Sequence, residues 1–233
     1  MELSRRLQAV ADMVSDGVSV ADVGTDHGYI PIYLVRSGKC PKAIAMDVNR
    51  GPLLRAENHI QGYGLQDKIE TRLSNGVVEL QPYDYECVVV AGMGGALTVQ
   101  ILEQGDDVFK SLHEFVLQPQ SEIWKVRKYL GENGYHIIDE DMVFEDGKYY
   151  PMMKVVCGQA TAYNHIELQY GKCLLDKQHP ILKQFLENEL QKLKAVLERL
   201  EMVQGEHIVE RKSEILEKVE EIKDALQRFD TEN

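Results

Sequence analysis

One short segment, residues 22–30 (Asp-Val-Gly-Thr-Asp-His-Gly-Tyr-Ile), constrains the fold of this chain more than any other. This first glycine turn follows an apolar run at 18–21, and a second apolar run at 43–46 leads into Asp47. A strand, a glycine-containing turn, a helix and a second strand that ends in an acid form the nucleotide-binding half of a doubly wound α/β domain. The sequence therefore predicts that the chain binds a cofactor containing a nucleoside.

The spacing of the glycines argues against a dinucleotide cofactor. A dinucleotide-binding turn has the pattern G-x-G-x-x-G, in which the middle glycine lets a pyrophosphate approach the backbone. Here Asp26 and His27 occupy that region, and a carboxylate would repel a pyrophosphate. S-adenosylmethionine (SAM) carries a sulfonium and an ammonium group and no phosphate, so the acids favour it, while Asp47 can hold its ribose hydroxyls. Another nucleotide, or a turn without any ligand, remains as an alternative.

Length and composition limit the class of protein. A chain of 233 residues accommodates one domain of ordinary size plus an appendage. It contains no apolar run near the roughly 20 residues of a membrane span, and its first residues lack the apolar core of a signal peptide. We therefore expect a cytoplasmic protein with no membrane partner. Its four cysteines are scattered without a C-x-x-C pair, so we also expect no metal site.

The formal net charge of −12 argues against a nonspecific nucleic-acid coat. Any contact with RNA must come from a local basic patch. Each candidate patch is also consistent with an ordinary solvated face. The candidates are Arg5 with Arg6, Lys125 with Arg127 and Lys128, and Lys148 with Tyr149 and Tyr150.

Apolar periodicity predicts alternating helices and strands, and such alternation is typical of a mainly parallel sheet. A first helix carries apolar residues at helical spacing from Leu3 to Val14, with Ser4 as a candidate N-cap. We predict strands at about 18–23, 42–47, 68–73, 86–91 and 114–118, and helices at about 29–37, 50–62, 95–104 and 121–133.

Two β-rich runs, at 135–143 and 150–156, follow Gly134 and are joined by Glu-Asp-Gly-Lys at 145–148, which predicts a hairpin. A terminal antiparallel hairpin is typical of the class I SAM-methyltransferase sheet. This order of elements therefore favours a Rossmann-like methyltransferase domain at residues 1–160 over a dehydrogenase.

The remaining residues, 161–233, have a different character. Apolar residues recur every three or four positions from Leu182 to Val203 and again from Ile215 to Phe229, with Gly205 between the two runs. Two arms around a glycine turn predict an antiparallel helical, coiled-coil hairpin. The alternative is one long helix in an intermolecular coiled coil. We expect a monomer or a weak homodimer, with the appendage positioning a large partner or a second protomer.

A second glycine turn, Ala-Gly-Met-Gly-Gly at residues 91–95, follows the strand-forming run 88–90. Methyltransferases that act on a ring or exocyclic nitrogen often carry Asp/Asn-Pro-Pro-aromatic at this point. Glycines at a strand end instead expose backbone carbonyls and amides, which lets a planar base come close. The alternative is a tight strand-to-helix turn without a ligand. The run 117–119 (Leu-Gln-Pro) closes the next strand on the same rim.

Together these segments resemble the TrmK family of bacterial tRNA (adenine-22-N1)-methyltransferases over about residues 3–158. The resemblance rests on both glycine turns and on four further motifs: Ser-x-Arg-Leu at 4–7, Ser-Asn-Gly at 74–76, Leu-Gln-Pro at 117–119 and Gly-Lys-Tyr-Tyr at 147–150. The Rossmann-like domain of the family is likewise followed by a coiled-coil hairpin. The chain departs from the family pattern at Pro151, where Glu usually follows the tyrosine.

The resemblance implies SAM-dependent methylation of N1 of adenine 22 in the D-arm region of tRNA, with SAM as cofactor, tRNA as partner and no metal. The residues that match the cofactor site of the family come from four segments. They are Asp22, Gly24, Asp26 and Gly28; Asp47 and Val48; Asn75 and Gly76; and Ala91, Gly92 and Met93.

The chemistry selects the candidate catalytic residues Asp26, His27 and Tyr29. Adenine N1 has a free lone pair, so attack on a sulfonium methyl needs positioning and no general base. The product is a cation, which Asp26, His27 or the backbone carbonyls of the second glycine turn can stabilise. N1 lies on the Watson–Crick edge, so the base must unstack, and Tyr29 or Tyr150 can then stack on it. A methyltransferase of small molecules or proteins, and a non-catalytic SAM-binding adaptor, remain as alternatives.

Overall fold

The computed structural model of the chain describes residues 1–201 and 206–230. Two compact units are present, Met1–Ala162 and Tyr163–Asn233. The first unit contains both glycine turns, and the second contains the amphipathic runs of the predicted appendage.

The first unit is built on a seven-stranded sheet. Its strands are β1 (Val20–Val23), β2 (Ala43–Asp47), β3 (Ile69–Leu73), β4 (Cys87–Met93), β5 (Glu114–Pro119), β6 (Tyr135–Glu145) and β7 (Lys148–Cys157). The strand order is β3-β2-β1-β4-β5-β7-β6. Strands β1 to β5 are parallel, whereas β7 runs antiparallel to both β5 and β6. The doubly wound sheet with a terminal antiparallel hairpin is therefore confirmed.

The first unit also contains helices, of which the first precedes β1 and the others each lie between two strands in the sequence. They are α1 (Arg5–Met13), α2 (Tyr29–Arg36), α3 (Arg50–Gly62), α4 (Gly95–Gln104), α5 (Asp106–Ser111) and α6 (Ile123–Glu132). Helix α5 was not among the predicted elements. Its buried residues are Val108 and Phe109, and the Phe109 ring packs edge-on against Phe115 of β5 at 5.0 Å between ring centres. A helix of six residues is too short to show a helical period in the sequence.

The central strands are fully covered on both faces. Every residue of β1 is buried, as are residues 87–90 of β4, and these runs consist mainly of Val, Ala and Cys. Strands with two covered faces have continuous apolar runs, because neither side meets water. The five predicted parallel strands are confirmed, with ends shifted by at most two residues.

The start of α1 is fixed by two side chains. The Ser4 hydroxyl accepts a hydrogen bond from the backbone N–H of Leu7 at 3.3 Å, which confirms the predicted N-cap. The carboxylate of Glu145, at the end of β6, accepts from the backbone N–H of Arg5 at 2.6 Å. The hairpin therefore anchors the helix that carries Arg6.

In its described residues, the second unit contains two short helices followed by two long ones. These are α7 (His165–Tyr170), α8 (Lys172–Asp176), α9 (Pro180–Glu201) and α10 (Glu206–Asp230). Helices α9 and α10 pack on each other, and the side-chain amide of Gln178 donates to the carbonyl of Arg228 at 2.8 Å. The beginning of α9 therefore lies beside the end of α10, as predicted for an antiparallel hairpin. The predicted turn at residues 204–205 lies outside the described residues. The buried seam contains Leu182, Leu186, Ile215, Val219, Ile222 and Ala225.

The prediction that Arg127 belongs to an RNA-binding surface patch is wrong. Arg127 is 1% exposed, and its Nε donates to Oε1 of Glu140, equally buried, at 2.8 Å. Its neighbour Lys125 pairs with Glu122, the N-cap residue of the same helix. The local sequence Lys-Val-Arg-Lys indicates a basic surface, but the helix turns this arginine into the core. The patch at 125–128 therefore lacks its central charge.

The buried pair Arg127 and Glu140 makes a direct stability prediction. Arg127→Met leaves the carboxylate of Glu140 buried without its cation, so we expect the free energy of unfolding to fall by about 3–5 kcal/mol. Combining it with Glu140→Leu removes both charges and should recover most of that loss. Urea unfolding followed by fluorescence of the single tryptophan, Trp124 in α6, measures both variants in the first unit. Equal destabilisation of the single and double variants would contradict the paired-charge explanation.

The second glycine turn leads to another stability prediction, because there is no room for a side chain at Gly95. A Cβ on Gly95 would lie 2.4 Å from the carbonyl oxygen of Ser121 and 2.8 Å from that of Glu122. Backbone atoms cannot rotate away, so Gly95→Ala should lower the free energy of unfolding by about 1–3 kcal/mol. Gly94→Ala is the matched control, because the nearest atom to its Cβ is the mobile hydroxyl of Ser121 at 3.2 Å. The same urea measurement should show less than about 1 kcal/mol for this control, and equal losses would refute the steric argument.

Candidate active site

A cavity of about 340 Å³ lies at the carboxyl ends of β1 and β4. The strand order reverses between these two strands, and open α/β sheets bind ligands at such a point. The first glycine turn contributes most of the lining. The remainder comes from Arg6 and Leu7 of α1, from Ala91 and Gly92 of β4, and from Gln120 after β5.

The first glycine turn needs its glycines for backbone reasons. Gly24 has φ +77°, and a Cβ there would lie 2.1 Å from the terminal methyl of Met93. Gly28 has φ +69° and forms the N-cap of α2 in the left-handed conformation. Residues with side chains rarely adopt this conformation, so both glycines allow a sharp turn between β1 and α2.

Asp22 is the most deeply placed acid of the site, since it is 5% exposed at the end of β1 and lines the cavity. Burial, with a smaller contribution from the charge of Asp47 on β2, raises the pKa of Asp22 to about 6. A cation that entered the cavity would favour the ionised carboxylate. Asp22 is therefore suited to hold a positively charged ligand group.

Asp26 lies at the rim of the cavity, and its charge is already shared. Its carboxylate forms an ion pair with Arg55 of α3 and lies 3.2 Å from Nε2 of His27. The hydrogen bond from Arg55 holds the pKa of Asp26 below its usual value. Sequence reasoning missed Arg55, because nothing in the local sequence of α3 shows that it faces this turn.

Three aromatic rings pack together beside the cavity. The ring centres of His27 and Tyr29 are 5.0 Å apart, and His59 of α3 lies 5.4 Å from His27 and 5.5 Å from Tyr29. The planes are within 19° of parallel. Nδ1 of His59 also lies 3.0 Å from the carbonyl oxygen of His27, so its N–H donates there in that tautomer. His59, absent from the sequence prediction, therefore orients both predicted rings.

The second glycine turn faces the first across the cavity. Gly92 has φ +80°, and its backbone N–H donates to Oε1 of Gln118 at 3.2 Å. The same oxygen accepts from Nη1 of Arg6 at 3.0 Å. The Arg6 guanidinium also lies over the ring of Tyr150, 5.5 Å from its centre. Sequence reasoning placed Arg6 in a surface patch and Gln118 on the rim, whereas the structure joins them at the site.

The other predicted cofactor residues lie at the ends of the next two strands. Asp47 ends β2, and its carboxylate accepts from the backbone N–H of Asn49 at 2.7 Å. Val48 follows it and is 59% exposed. Asn75 and Gly76 follow β3, in a loop tied to Asp47 by a backbone hydrogen bond between Ser74 and the Asp47 carbonyl at 2.9 Å. These residues extend the site along the rim, away from the second glycine turn.

Two classes of site have no support in the described part of the chain. Within residues 1–201 and 206–230, none of the helices combines the length and apolarity needed to cross a membrane. The same residues contain no group of three or more His, Cys, Asp or Glu side chains placed to hold a metal ion.

Comparison with known proteins agrees with this geometry. The model of the TrmK family, described as tRNA (adenine(22)-N(1))-methyltransferase, matches residues 20–224. The tRNA (adenine(22)-N(1))-methyltransferase of Bacillus subtilis strain 168 is 31% identical to this chain, over 97% of the chain and 98% of the relative.

Two solved structures share the fold over nearly their whole length. A Streptococcus pneumoniae protein in complex with S-adenosyl-L-methionine has a TM-score of 0.86 and 32% identity, over 97% of this chain and 100% of that one. M. capricolum TrmK in complex with S-adenosyl-homocysteine has a TM-score of 0.83 and 25% identity, over 98% of this chain and 100% of that one. Since the family model covers most of the chain and the fold agrees, the chain belongs to the TrmK family of tRNA (adenine-N1)-methyltransferases.

Proposed function

We propose that this chain transfers a methyl group from SAM to N1 of adenine 22 in tRNA. The observation that carries the proposal is the cavity between β1 and β4, which brings both glycine turns of a TrmK-family chain to one opening. The solved relatives bound to SAM and to S-adenosyl-homocysteine support the cofactor.

The residues of the site fit SAM. Gly24 and Gly92 both have positive φ and expose backbone on the two sides of the cavity. The buried carboxylate of Asp22 suits the α-ammonium group, and Asp47 suits the ribose hydroxyls. Four further residues would complete the cofactor site: Val48 after β2, Asn75 and Gly76 after β3, and Met93, which packs against Gly24. When bound, SAM supplies an electrophilic methyl group on its sulfonium.

Tyr29 is the residue we propose to hold the target base. Tyr29 lines the cavity and is 38% exposed, and the rings of His27 and His59 orient it. Adenine N1 lies on the pairing edge of the base, so the nucleotide must leave its stack, at a cost of a few kcal/mol. Stacking on an aromatic ring returns about 1–3 kcal/mol per base.

Charge that develops on the target base can be stabilised by acceptors and negative charges at the rim of the cavity. Methylation of N1 makes adenine cationic, so acceptors near the base favour the transition state. We propose Asp26 and His27 as catalytic residues, with the charge of Asp26 moderated by Arg55. The backbone carbonyls of Ala91 and Gly92 add acceptors that carry no such partner charge. This division keeps the site attractive to a developing cation without requiring a general base.

We assign the chemistry to residues 1–160 and a role in holding tRNA to residues 161–233. A tRNA-modifying enzyme acts where tRNA is, so we propose a cytoplasmic location and a monomer or weak homodimer. Methylation of a small molecule or a protein is the second candidate, and a non-catalytic SAM-binding adaptor is the third. The second would tolerate loss of the helical appendage, because a small substrate needs only the cavity.

The raised pKa of Asp22 predicts how cofactor affinity depends on pH. Above about pH 6 the carboxylate is ionised and can pair with the ammonium group of SAM. Below that pH, SAM must displace a proton, so its Kd should rise by about tenfold per pH unit. Calorimetric titration between about pH 5 and 7 measures this, and Asp22→Asn should bind more weakly with a flatter profile. A parent protein whose Kd is constant across this range would refute the role of Asp22.

The methylation reaction itself is tested with the full chain, labelled SAM and an unmodified tRNA transcript, with the product nucleoside identified by mass spectrometry. We expect 1-methyladenosine from the parent transcript and none when guanine replaces adenine at position 22. Tyr29→Ala should lower kcat/KM by roughly 10- to 100-fold through lost stacking. Tyr29→Phe keeps the ring and should retain activity. Binding of SAM without any RNA product would favour the small-molecule or adaptor function.

A further inference from the structure

Arg6 is fixed in the cavity by side chains from two distant parts of the chain. Its Nη1 donates to Oε1 of Gln118, the oxygen that also accepts from the backbone N–H of Gly92. Gln118 is completely buried, and two N–H donors converge on one of its side-chain atoms, which identifies that atom as the oxygen. The ring of Tyr150 supports the guanidinium from β7. Arg6 is therefore held against the second glycine turn, facing the cavity.

The guanidinium of Arg6 retains most of its binding capacity. It has five N–H donors in a planar fork, and Gln118 accepts from one of its nitrogens. Within residues 1–201 and 206–230, no carboxylate lies at ion-pair distance from this guanidinium. The carboxylate of Glu145 instead accepts from the backbone N–H groups of Arg5 and Arg6. Arg6 thus presents an uncompensated positive charge to the cavity.

The charge of Arg6 contrasts with its surroundings. The chain has a formal net charge of −12, and the other arginine near the opening, Arg55, is paired with Asp26. A partly buried cation without a counter-ion is costly, so a protein that keeps one gains most when an anion joins it. A planar arginine fork matches the geometry of a carboxylate or a phosphate.

We propose that Arg6 is the anion-binding residue of this cavity, and that it receives an oxyanion of the bound ligands. Two sources supply that chemistry: the amino-acid carboxylate of SAM, and a backbone phosphate beside the target nucleotide. The first would make Asp22 and Arg6 a pair of opposite charges for the two ends of a zwitterion. The second rests on the proposed function, because it requires RNA in the cavity.

A direct contact between Arg6 and the reacting edge of adenine is excluded by charge and by hydrogen-bonding chemistry. Guanidinium is a donor only, and the N6 amino group of adenine is also a donor. A positive charge beside N1 would oppose the cation that forms there. The oxyanion is therefore the ligand group that both properties of Arg6 match.

The test compares Arg6→Met and Arg6→Lys with the parent chain in two titrations. If the carboxylate of SAM is the occupant, Arg6→Met should raise the Kd for SAM by roughly 10- to 100-fold. For decarboxylated SAM, Arg6→Met and the parent chain should have the same Kd. If a phosphate is the occupant, SAM binding should be unchanged and KM for tRNA should rise by a similar factor. The slope of log KM against log salt should then fall by about 0.7–0.9.

Arg36→Met is the matched control for lost charge and lost stacking. Arg36 also lies over a tyrosine, 5.1 Å from the ring centre of Tyr63, but it ends α2, away from the cavity. This variant should bind SAM and tRNA as the parent does. Arg6→Lys keeps the charge without the planar fork, so it should lie between the parent and Arg6→Met. Unchanged SAM binding together with an unchanged tRNA KM in Arg6→Met would overturn the proposal.

The two proposals fail separately. A parent protein that makes no 1-methyladenosine contradicts the proposed function, whatever Arg6 does. A weakened SAM titration in Arg6→Met would still support the anion-binding role in that case, because the titration contains no RNA. A parent that methylates tRNA while Arg6→Met matches it in both titrations retains the function and refutes the role of Arg6.

Discussion

The site depends on the parallel pairing of β1 with β2 on one side and β4 on the other. Asp22 of β1 lies in register with Ala45 and Val89, so three strands end at the same edge. Right-handed crossovers then send consecutive helices to opposite faces where the strand order reverses, which opens a crevice between their first turns. Every proposed catalytic residue lies in the first glycine turn, which borders this crevice. The sheet therefore sets the geometry of that turn before any ligand binds.

Within that crevice, charges are distributed unequally for a physical reason. Asp26 is exposed at the rim and can be neutralised by Arg55 at little desolvation cost. Asp22 is buried, and its raised pKa records the cost of ionising it without a counter-ion. Arg6, held by Gln118, is the converse case, because no carboxylate in the described part of the chain pairs with its guanidinium. The opposite charges at the rim therefore nearly cancel. In the interior, Asp22 and Arg6 can each pair with an opposite charge on a zwitterionic or phosphorylated ligand.

Features encoded by neighbouring residues could be predicted from the sequence, and features that depend on distant contacts could not. The positive φ of Gly24 and Gly28 follows from a local turn, and the strands follow from continuous apolar runs. His59 contacts His27 from 32 residues away, and Arg6 contacts Gln118 from 112 residues away. No sequence motif reveals that the two residues of either pair are in contact. The buried Arg127 shows the same limit, since only Glu140 explains it.

The departure at Pro151 bears on the same network through the backbone. Pro151 is buried in β7 opposite Met142, where a glutamate side chain would place a carboxylate in an apolar setting. Proline also restricts the residue before it to extended conformations. That residue is Tyr150, whose ring lies under the guanidinium of Arg6. Pro151 thus stiffens the aromatic support of Arg6 through the backbone of Tyr150.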